Sequence, residues 1–215
     1  AHSDPPEAAE WFEPQHFILV HGVWHGAWAW YKTQTQLENM GHTVTTVDLP
    51  GHGIDRTPPE TVTLDDYVDR VVDAIDAAGE PVILVGHSMG GVVISEAAEA
   101  RPLQVDKLVY LAAFLLPNGT SLFDIALTDT DSVAGANLIP GAGVMDINRD
   151  VLEEAFYEMS PHSDITLAES LVVVNPLMPI VTPIAVTDAN YGSVPRYYIE
   201  TTYDNAISPR IQRST

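Results

Sequence analysis

The sequence contains no cysteine, and this absence excludes two kinds of site. Without thiols the chain can form neither a disulfide framework nor a thiolate metal site. Long apolar runs are also missing, because the longest, such as residues 81–85 and 108–116, are too short to cross a bilayer. We therefore expect no membrane span, no metal centre and no cofactor, and the redox compartment stays open.

Positively charged residues are also scarce. Lys and Arg together number 9 against 30 Asp and Glu, and the formal net charge is −21. Phosphates would be repelled by this balance, so nucleic acid is not expected as a partner. Several aspartates share the polar face of one predicted helix: Asp65, Asp66, Asp69, Asp73 and Asp76. Such a surface suits a protein that works in high salt, and it is equally compatible with an ordinary acidic bacterial protein.

Length and composition allow one sizeable core. At 215 residues and 46% hydrophobic content, the chain is most simply a single domain over residues 15–215. Residues 1–14, rich in Pro and Glu, are expected to form a mobile lead-in. The chain begins with Ala1 rather than methionine, which favours a mature secreted or periplasmic protein, although a trimmed chain would begin in the same way. The sequence leaves a homodimer open.

Short apolar runs alternate with helical patterns along much of the chain. Strands are expected at residues 17–20, 43–49, 82–85, 105–112 and 196–200. The clearest helix begins at Leu64, with Thr63 as its N-cap and Asp66 three residues further on. This alternation predicts an α/β fold, with a mostly parallel sheet flanked by helices.

The most informative segment, residues 82–91, places an apolar strand directly before a serine that has glycines at both second neighbours. A sharp turn from strand to helix, with Gly86 and Gly90 allowing close approach, lifts the Ser88 hydroxyl clear of the sheet. The backbone N–H of Met89 can then point at negative charge that develops on a substrate carbonyl oxygen. A glycine-rich turn without chemistry is the alternative, and the flanking strand and helix favour a nucleophile.

Asp204 follows the last predicted strand, on the serine's side of the sheet. This is where the orienting acid of a Ser, Asp, His triad belongs when the chain order is serine first. Helix capping is the alternative role. Asn205 and Ser208 with Pro209 could cap the next helix without Asp204, so we favour the catalytic role.

The alternating pattern breaks at about residues 115–193, a stretch that is richer in Pro, Gly and Asp. Two short helices are expected within it, one begun by a capping box of Asp150 and Glu153 and one begun at Ser160 and Pro161. A long insertion after a sheet strand on the serine's side predicts a helical lid over the site. We call residues 115–193 the lid segment.

Several of these runs together resemble one branch of the α/β-hydrolase superfamily, which contains plant methylesterases, hydroxynitrile lyases and bacterial EstC-type esterases. The similarity extends from about Phe17 to the end of the chain. The run His21-Gly22-Val23-Trp24-His25-Gly26-Ala27-Trp28 is its most specific part. The other parts are residues 86–91, residues 198–208, and within the lid segment residues 157–161 and 168–172.

The resemblance implies a fold and a set of site residues. It implies an α/β-hydrolase fold with Ser88 as nucleophile, Asp204 as triad acid, and an oxyanion hole formed by the N–H groups of Val23 and Met89. His21 and His25 are then expected to be structural, with their rings hydrogen-bonded to loop backbone. The implied activity is hydrolysis of small carboxylic esters through an acyl-enzyme intermediate, with a small-molecule ester as the substrate.

One expected residue is missing from the pattern. The base histidine of this branch lies a few tens of residues after the acid, beyond a further strand, whereas only 11 residues follow Asp204 here. We therefore expect the terminal strand, the histidine and the last helix to lie outside these 215 residues, and the 215 residues alone to have little or no activity. His162 is the remaining internal candidate. Hydroxynitrile lyase and a non-catalytic ligand receptor on the same fold stay open as alternatives.

The acidic, lysine-poor surface makes one testable prediction. We expect the melting temperature to rise as potassium chloride is added, because a Debye length of roughly 3 Å at 1 M salt screens repulsion among the carboxylates. Thermal unfolding followed by circular dichroism from low to molar salt measures this. A flat or falling curve would contradict the high-salt interpretation.

Overall fold

A computed structural model describes residues 13–214, and its centre is a parallel sheet of five strands. The strands of the described residues are β1 (His16–Val20), β2 (Thr43–Val47), β3 (Val82–Ser88), β4 (Val105–Ala113), β5 (Leu138–Pro140), β6 (Val144–Ile147), β7 (Asn175–Pro176) and β8 (Arg196–Ile199). The strand order in the central sheet is β2-β1-β3-β4-β8, and every neighbouring pair is parallel. All five expected strands are therefore confirmed, with ends that differ by a few residues.

Helices occupy the connections between these strands. They are α1 (Tyr31–Asn39), α2 (Leu64–Ala78), α3 (Gly90–Ala100), α4 (Leu122–Ala126), α5 (Val133–Ala136), α6 (His162–Leu171), α7 (Met178–Val181) and α8 (Pro209–Gln212). Single 3₁₀ turns lie at Ala27–Trp30, Pro59–Thr61, Arg149–Val151 and Tyr191–Ser193, and a π-helix lies at Glu153–Tyr157. Among the described residues, no helix combines the length and apolarity that crossing a bilayer requires.

Helix α2 shows how closely local sequence determines an element here. The Thr63 side chain accepts from the Asp66 N–H, and the Asp66 carboxylate accepts from the Thr63 N–H at 2.8 Å, so the predicted capping box is present. The helix ends at Gly79, whose φ of 67° is left-handed and costs glycine little. Its apolar face, which includes Tyr67, Val71 and Ile75, is buried against the sheet layer.

The sheet is covered on both faces, and its strands carry the core. Ile18 in β1 and Leu84 in β3 belong to the larger apolar cluster, while Leu19 in β1 belongs to a smaller cluster on the other face. Such burial on both faces explains why these strands read as continuous apolar runs. Parallel pairing aligns Val20 with Gly86, so the loops after β1 and β3 leave the sheet at the same edge.

The lid segment differs from its prediction in two ways. It contains a three-stranded antiparallel sheet, β5-β6-β7, in addition to short helices. The sequence did not predict this sheet, because β6 pairs with β7 over a long sequence separation and no local pattern indicates such pairing. The expected capping box of Asp150 with Glu153 is wrong: Asn148 accepts from the Asp150 N–H and caps a single 3₁₀ turn. Helix α6 does begin just after Pro161, without a side-chain cap.

The predicted lead-in, residues 1–14, lies outside the described residues except for Glu13 and Pro14. At the other end, β8 pairs with β4 and with no other strand of residues 13–214, which leaves it at the sheet edge. Tyr197 and Ile199 in this strand are each about half exposed.

Candidate active site

Ser88 ends β3 in the strained turn that the sequence predicts. Its φ is 54°, a left-handed value that is uncommon outside glycine. A Cβ at Gly86 would lie 2.6 Å from the Gly90 carbonyl carbon, and a Cβ at Gly90 would lie 2.5 Å from the Val20 oxygen. Real Cβ atoms do not approach so closely, so both glycines are required for the turn. The predicted close approach at both positions is confirmed.

The loop after β1 passes directly over this turn. A Cβ at Gly22 would lie 2.8 Å from the Cβ of Ser88, so the peptide that follows Gly22 lies beside the serine. That peptide carries the N–H of Val23. Within residues 13–214, no hydrogen bond occupies the N–H of Val23 or the N–H of Met89 at the start of α3. Neither N–H group therefore has a partner within these residues, as the oxyanion-hole role that the resemblance implies for them would require.

Three buried histidines hold this loop by the same pattern of bonds. The Nδ1–H of His21 donates to the Gly22 carbonyl at 2.8 Å, that of His25 to the Val23 carbonyl at 2.7 Å, and that of His52 to the His25 carbonyl at 2.7 Å. A carbonyl can only accept, so each ring carries its proton on Nδ1. The expectation that His21 and His25 bond to loop backbone is thereby confirmed.

The remaining nitrogen of each ring accepts a hydrogen bond from another element. His21 Nε2 accepts from the Leu49 N–H at 3.2 Å, and His52 Nε2 accepts from the Tyr67 hydroxyl at 2.8 Å. His25 Nε2 accepts from the hydroxyl of Tyr157, in the lid segment. Since both nitrogens of each ring are engaged, none of these three imidazoles offers a free acceptor to Ser88.

Burial keeps these imidazoles neutral. It lowers the pKa of His25 and of His52 to about 4, and it lowers the pKa of His21 well below its ordinary value. Neighbouring imidazoles add to the lowering at His21 and His25. At His21 a neutral ring is also required by its partner, because protonation would place an N–H on Nε2 facing the Leu49 N–H.

Asp204 lies in a turn after β8 and is heavily hydrogen-bonded. Its Oδ1 accepts from the N–H groups of Ala206 and Ile207, both at 2.8 Å. Its Oδ2 accepts from the Thr201 hydroxyl at 2.6 Å and from Gln212 Nε2 at 3.1 Å. These donors hold the carboxylate in place. The neighbouring helix α8 is capped by Ser208, as the sequence suggests, so Asp204 is not needed for capping.

Ser88 and Asp204 line the same open cleft, which has a volume of about 720 Å³. Lid-segment residues 154–160 form another wall of it, which places part of the lid segment beside the serine. His87 also lines the cleft, but its ring packs edge-on against Trp30 and no hydrogen bond within the described residues joins it to Ser88. The Ser88 hydroxyl itself has no hydrogen-bond partner in residues 13–214. His162 is exposed at the start of α6 and does not line the cleft.

A second, smaller cavity of about 70 Å³ also has Ser88 in its wall. Its walls are mainly apolar side chains from the lid segment and from the end of β4, among them Phe114, Leu122, Phe123 and Met145. Val23 also lines it. Ser88 therefore lines both a large open cleft and a small apolar cavity.

Two contacts of the lid segment were not predicted from the sequence. Asn175, fully buried, accepts from the Trp24 N–H at 3.3 Å and donates to the Pro176 carbonyl, and Tyr157 bonds to His25 as described above. Neither residue carries a local signal, because each acts on a loop more than 130 positions away. Over residues 13–214, no three His, Cys, Asp or Glu side chains group as metal ligands would.

Comparison with known proteins gives consistent results. The sequence profile described as the alpha/beta hydrolase family matches residues 17–215. Methylesterase 7 of Arabidopsis thaliana is 36% identical, over 92% of this chain and 81% of its own length. A chloroplastic protein of the same plant, provisionally named methylesterase 11, is 38% identical over 94% of this chain and 55% of its own length.

Among solved structures, tomato methylketone synthase I in complex with 2-tridecanone superposes with a TM-score of 0.79 at 28% identity. The match covers 94% of this chain and 84% of that one. The chain spans between 48 and 64% of the length of the first five curated relatives.

The buried histidines predict how stability depends on pH. Unfolded histidine takes up a proton near pH 6.5, whereas His25 and His52 in the fold do so only near pH 4. The folded state therefore binds fewer protons in this range, and stability is lost as the pH falls from about 6.5 to about 4. The expected loss is roughly 3 kcal/mol for each of these histidines. Carboxylates of lowered pKa, such as that of Asp66, act in the same direction but at about pH 4 and below.

Urea unfolding at pH 7, 5.5 and 4.5 measures this dependence. His52→Gln should flatten the curve, because the variant lacks one titrating group. His162→Gln is the matched control, since His162 is exposed and its replacement should leave the curve unchanged. If His52→Gln kept the wild-type pH dependence, burial of His52 would not be its source.

Proposed function

Because the chain belongs to the alpha/beta hydrolase family, we propose that it hydrolyses small carboxylic esters through an acyl-enzyme on Ser88. The observation that carries the proposal is the strained Ser88 turn, which has two unoccupied N–H donors beside it and Asp204 in the same cleft. The methylesterase relatives support the same activity, and methyl esters are therefore the first substrates to test.

In the proposed reaction, Ser88 Oγ attacks the ester carbonyl carbon and the carbonyl oxygen becomes an oxyanion. The N–H groups of Val23 and Met89 donate hydrogen bonds to that oxyanion, and loss of one such donor typically costs roughly 2.7–4 kcal/mol of barrier stabilisation. The carbon–oxygen bond to the alcohol then breaks, and the alcohol leaves with the proton taken from Ser88. Water attacks the acyl-enzyme by the same route in reverse and releases the acid.

The proton needs a base, and we infer that it is a histidine carried outside the described residues. Three of the histidines near Ser88 have both ring nitrogens engaged, and His87 makes no bond to the serine. The cleft between Ser88 and Asp204 is large enough to hold an imidazole ring. Asp204 would then accept from its Nδ1–H and orient it, as in other serine triads.

We assign the acyl group to the small apolar cavity and the alcohol to the open cleft. The acyl group must stay on Ser88 while the alcohol departs, so the small cavity suits the acyl group and the larger cleft suits the leaving group. A cavity of about 70 Å³ is smaller than the cavity of about 150 Å³ that holds benzene in another protein. The proposed substrates are therefore esters of short aliphatic acids.

Added imidazole tests the proposal on the 215-residue chain itself. We expect a fluorophosphonate probe to label Ser88 slowly, and imidazole to accelerate labelling at least about tenfold, because it supplies the missing base in the cleft. Labelling is followed by intact mass. Ser88→Ala should not be labelled at any imidazole concentration, and Asp204→Asn should show a smaller acceleration.

Two outcomes would contradict the proposal. Rapid labelling without imidazole would show that a base already lies within these residues, and His162 and His87 would be the first to replace. No labelling with or without imidazole would favour the non-catalytic receptor.

Acyl-chain preference is a separate prediction. With imidazole present, and after subtraction of the rate of Ser88→Ala, methyl acetate and methyl butyrate should be hydrolysed at least about tenfold faster than methyl octanoate. Phe123→Ala should relax this preference because it enlarges the cavity. Leu127→Ala, an exposed position just after the same helix, is the matched control and should not change it. A preference for octanoate in the wild type would contradict the assignment of the acyl group to this cavity.

A further inference from the structure

Trp24, the residue after the proposed oxyanion donor, has a backbone conformation that the loop alone does not explain. Its φ is 61°, in the left-handed region, although the residue is bulky and buried. For such a residue a positive φ is an outlier, and it persists only where surrounding contacts hold it.

Every hydrogen bond of Trp24 within residues 13–214 comes from the lid segment. The Trp24 N–H donates to Asn175 Oδ1 at 3.3 Å, and the Trp24 carbonyl accepts from the Val173 N–H at 3.0 Å. The indole Nε1–H donates to the Met145 carbonyl at 2.9 Å. Both backbone groups and the side chain of Trp24 are thus bound to residues more than 120 positions away.

A further contact reaches the same loop through His25. The His25 Nδ1–H donates to the Val23 carbonyl, so Nε2 is the acceptor and the hydroxyl of Tyr157 is the donor. The ring also stacks on Trp28, with centroids 5.2 Å apart, and meets Phe156 edge-on. The peptide that joins Val23 and Trp24 is consequently held at its carbonyl by way of Tyr157 and at its N–H by Asn175.

We propose that Tyr157 and Asn175 are positioning residues through which the lid segment holds the loop after β1 in the conformation that presents the Val23 N–H to the substrate oxyanion. The inference rests on the proposed function, because it assumes that the Val23 N–H is an oxyanion donor. The peptide that joins Gly22 and Val23 carries this N–H, and the peptide that joins Val23 and Trp24 is the one that the lid segment holds. Rotation of the held peptide changes the backbone torsions of Val23 and moves its N–H.

The bonds from the lid segment determine when the oxyanion hole is complete. Displacement of the lid segment breaks the bonds to Trp24 and His25 together, and Trp24 is then free to return to an ordinary negative φ. The Val23 donor is withdrawn from the serine as it does so. The oxyanion hole is therefore complete only while the lid segment keeps its bonds to Trp24 and His25, and ester cleavage is confined to that state.

Tyr157→Phe tests the proposal, because it removes one hydroxyl from a half-buried ring and leaves the packing in place. Amide hydrogen exchange at Trp24, followed by NMR on the 215-residue chain, should become about tenfold faster. In labelling with imidazole, the maximal rate should fall roughly tenfold to 100-fold, while the half-saturating probe concentration changes less than about threefold. A purely structural role would raise the half-saturating concentration instead.

Tyr31→Phe is the matched control. The Tyr31 hydroxyl donates to Asp164 in the lid segment at 3.0 Å, so this variant also loses a tyrosine bond to the lid segment, but one remote from Trp24. It should leave both readouts within about twofold of the wild type. Equal effects of Tyr31→Phe and Tyr157→Phe would overturn the route through His25, as would unchanged exchange and labelling in Tyr157→Phe.

The two proposals fail in different ways. If Ser88 of the wild type is not labelled even with imidazole, the proposed function fails, whereas faster Trp24 exchange in Tyr157→Phe would still support the hold of the lid segment on the loop. If labelling proceeds in the wild type and Tyr157→Phe matches it in both readouts, the proposed function stands and the positioning role is wrong.

Discussion

The close contact between the loop after β1 and the Ser88 turn is the constraint on which the rest of the site depends. A Cβ at Gly22 would lie 2.8 Å from Ser88 Cβ, and one at Gly90 would lie 2.5 Å from the Val20 oxygen. Only glycine permits this approach. Two segments that are more than 60 positions apart in sequence are therefore in close backbone contact at Ser88, and this contact is what the proposed donor role of the Val23 N–H requires.

Close approach brings the loop to the serine, and buried imidazoles keep it there. A loop that runs through the interior leaves carbonyls that no regular structure satisfies, and His21, His25 and His52 each donate to one of them. A neutral imidazole suits this task because it donates with one nitrogen and accepts with the other, so each ring joins the loop to a second element. The same burial that keeps the rings neutral makes the arrangement sensitive to acid.

Local sequence was sufficient where an element depends on its own residues. The capping box of Thr63 and Asp66 and the glycines around Ser88 are each recognisable within a few positions, and each is present. The lid segment was only partly predictable. Its antiparallel sheet forms between strands of two to four residues, and runs so short carry no periodicity that distinguishes them from loop.

The sequence by itself determined the order of strands and helices, the strained turn at Ser88 and the identity of the residue types that a hydrolase needs. Only the tertiary structure decided which of them meet. It brought Asp204 into the cleft of Ser88, engaged both nitrogens of the histidines that the loop contains, and placed Tyr157 and Asn175 against the backbone around Trp24. The physical reason is that turns and caps are set by neighbours along the chain, whereas hydrogen bonds across more than 100 positions form only after the sheet has brought those segments together.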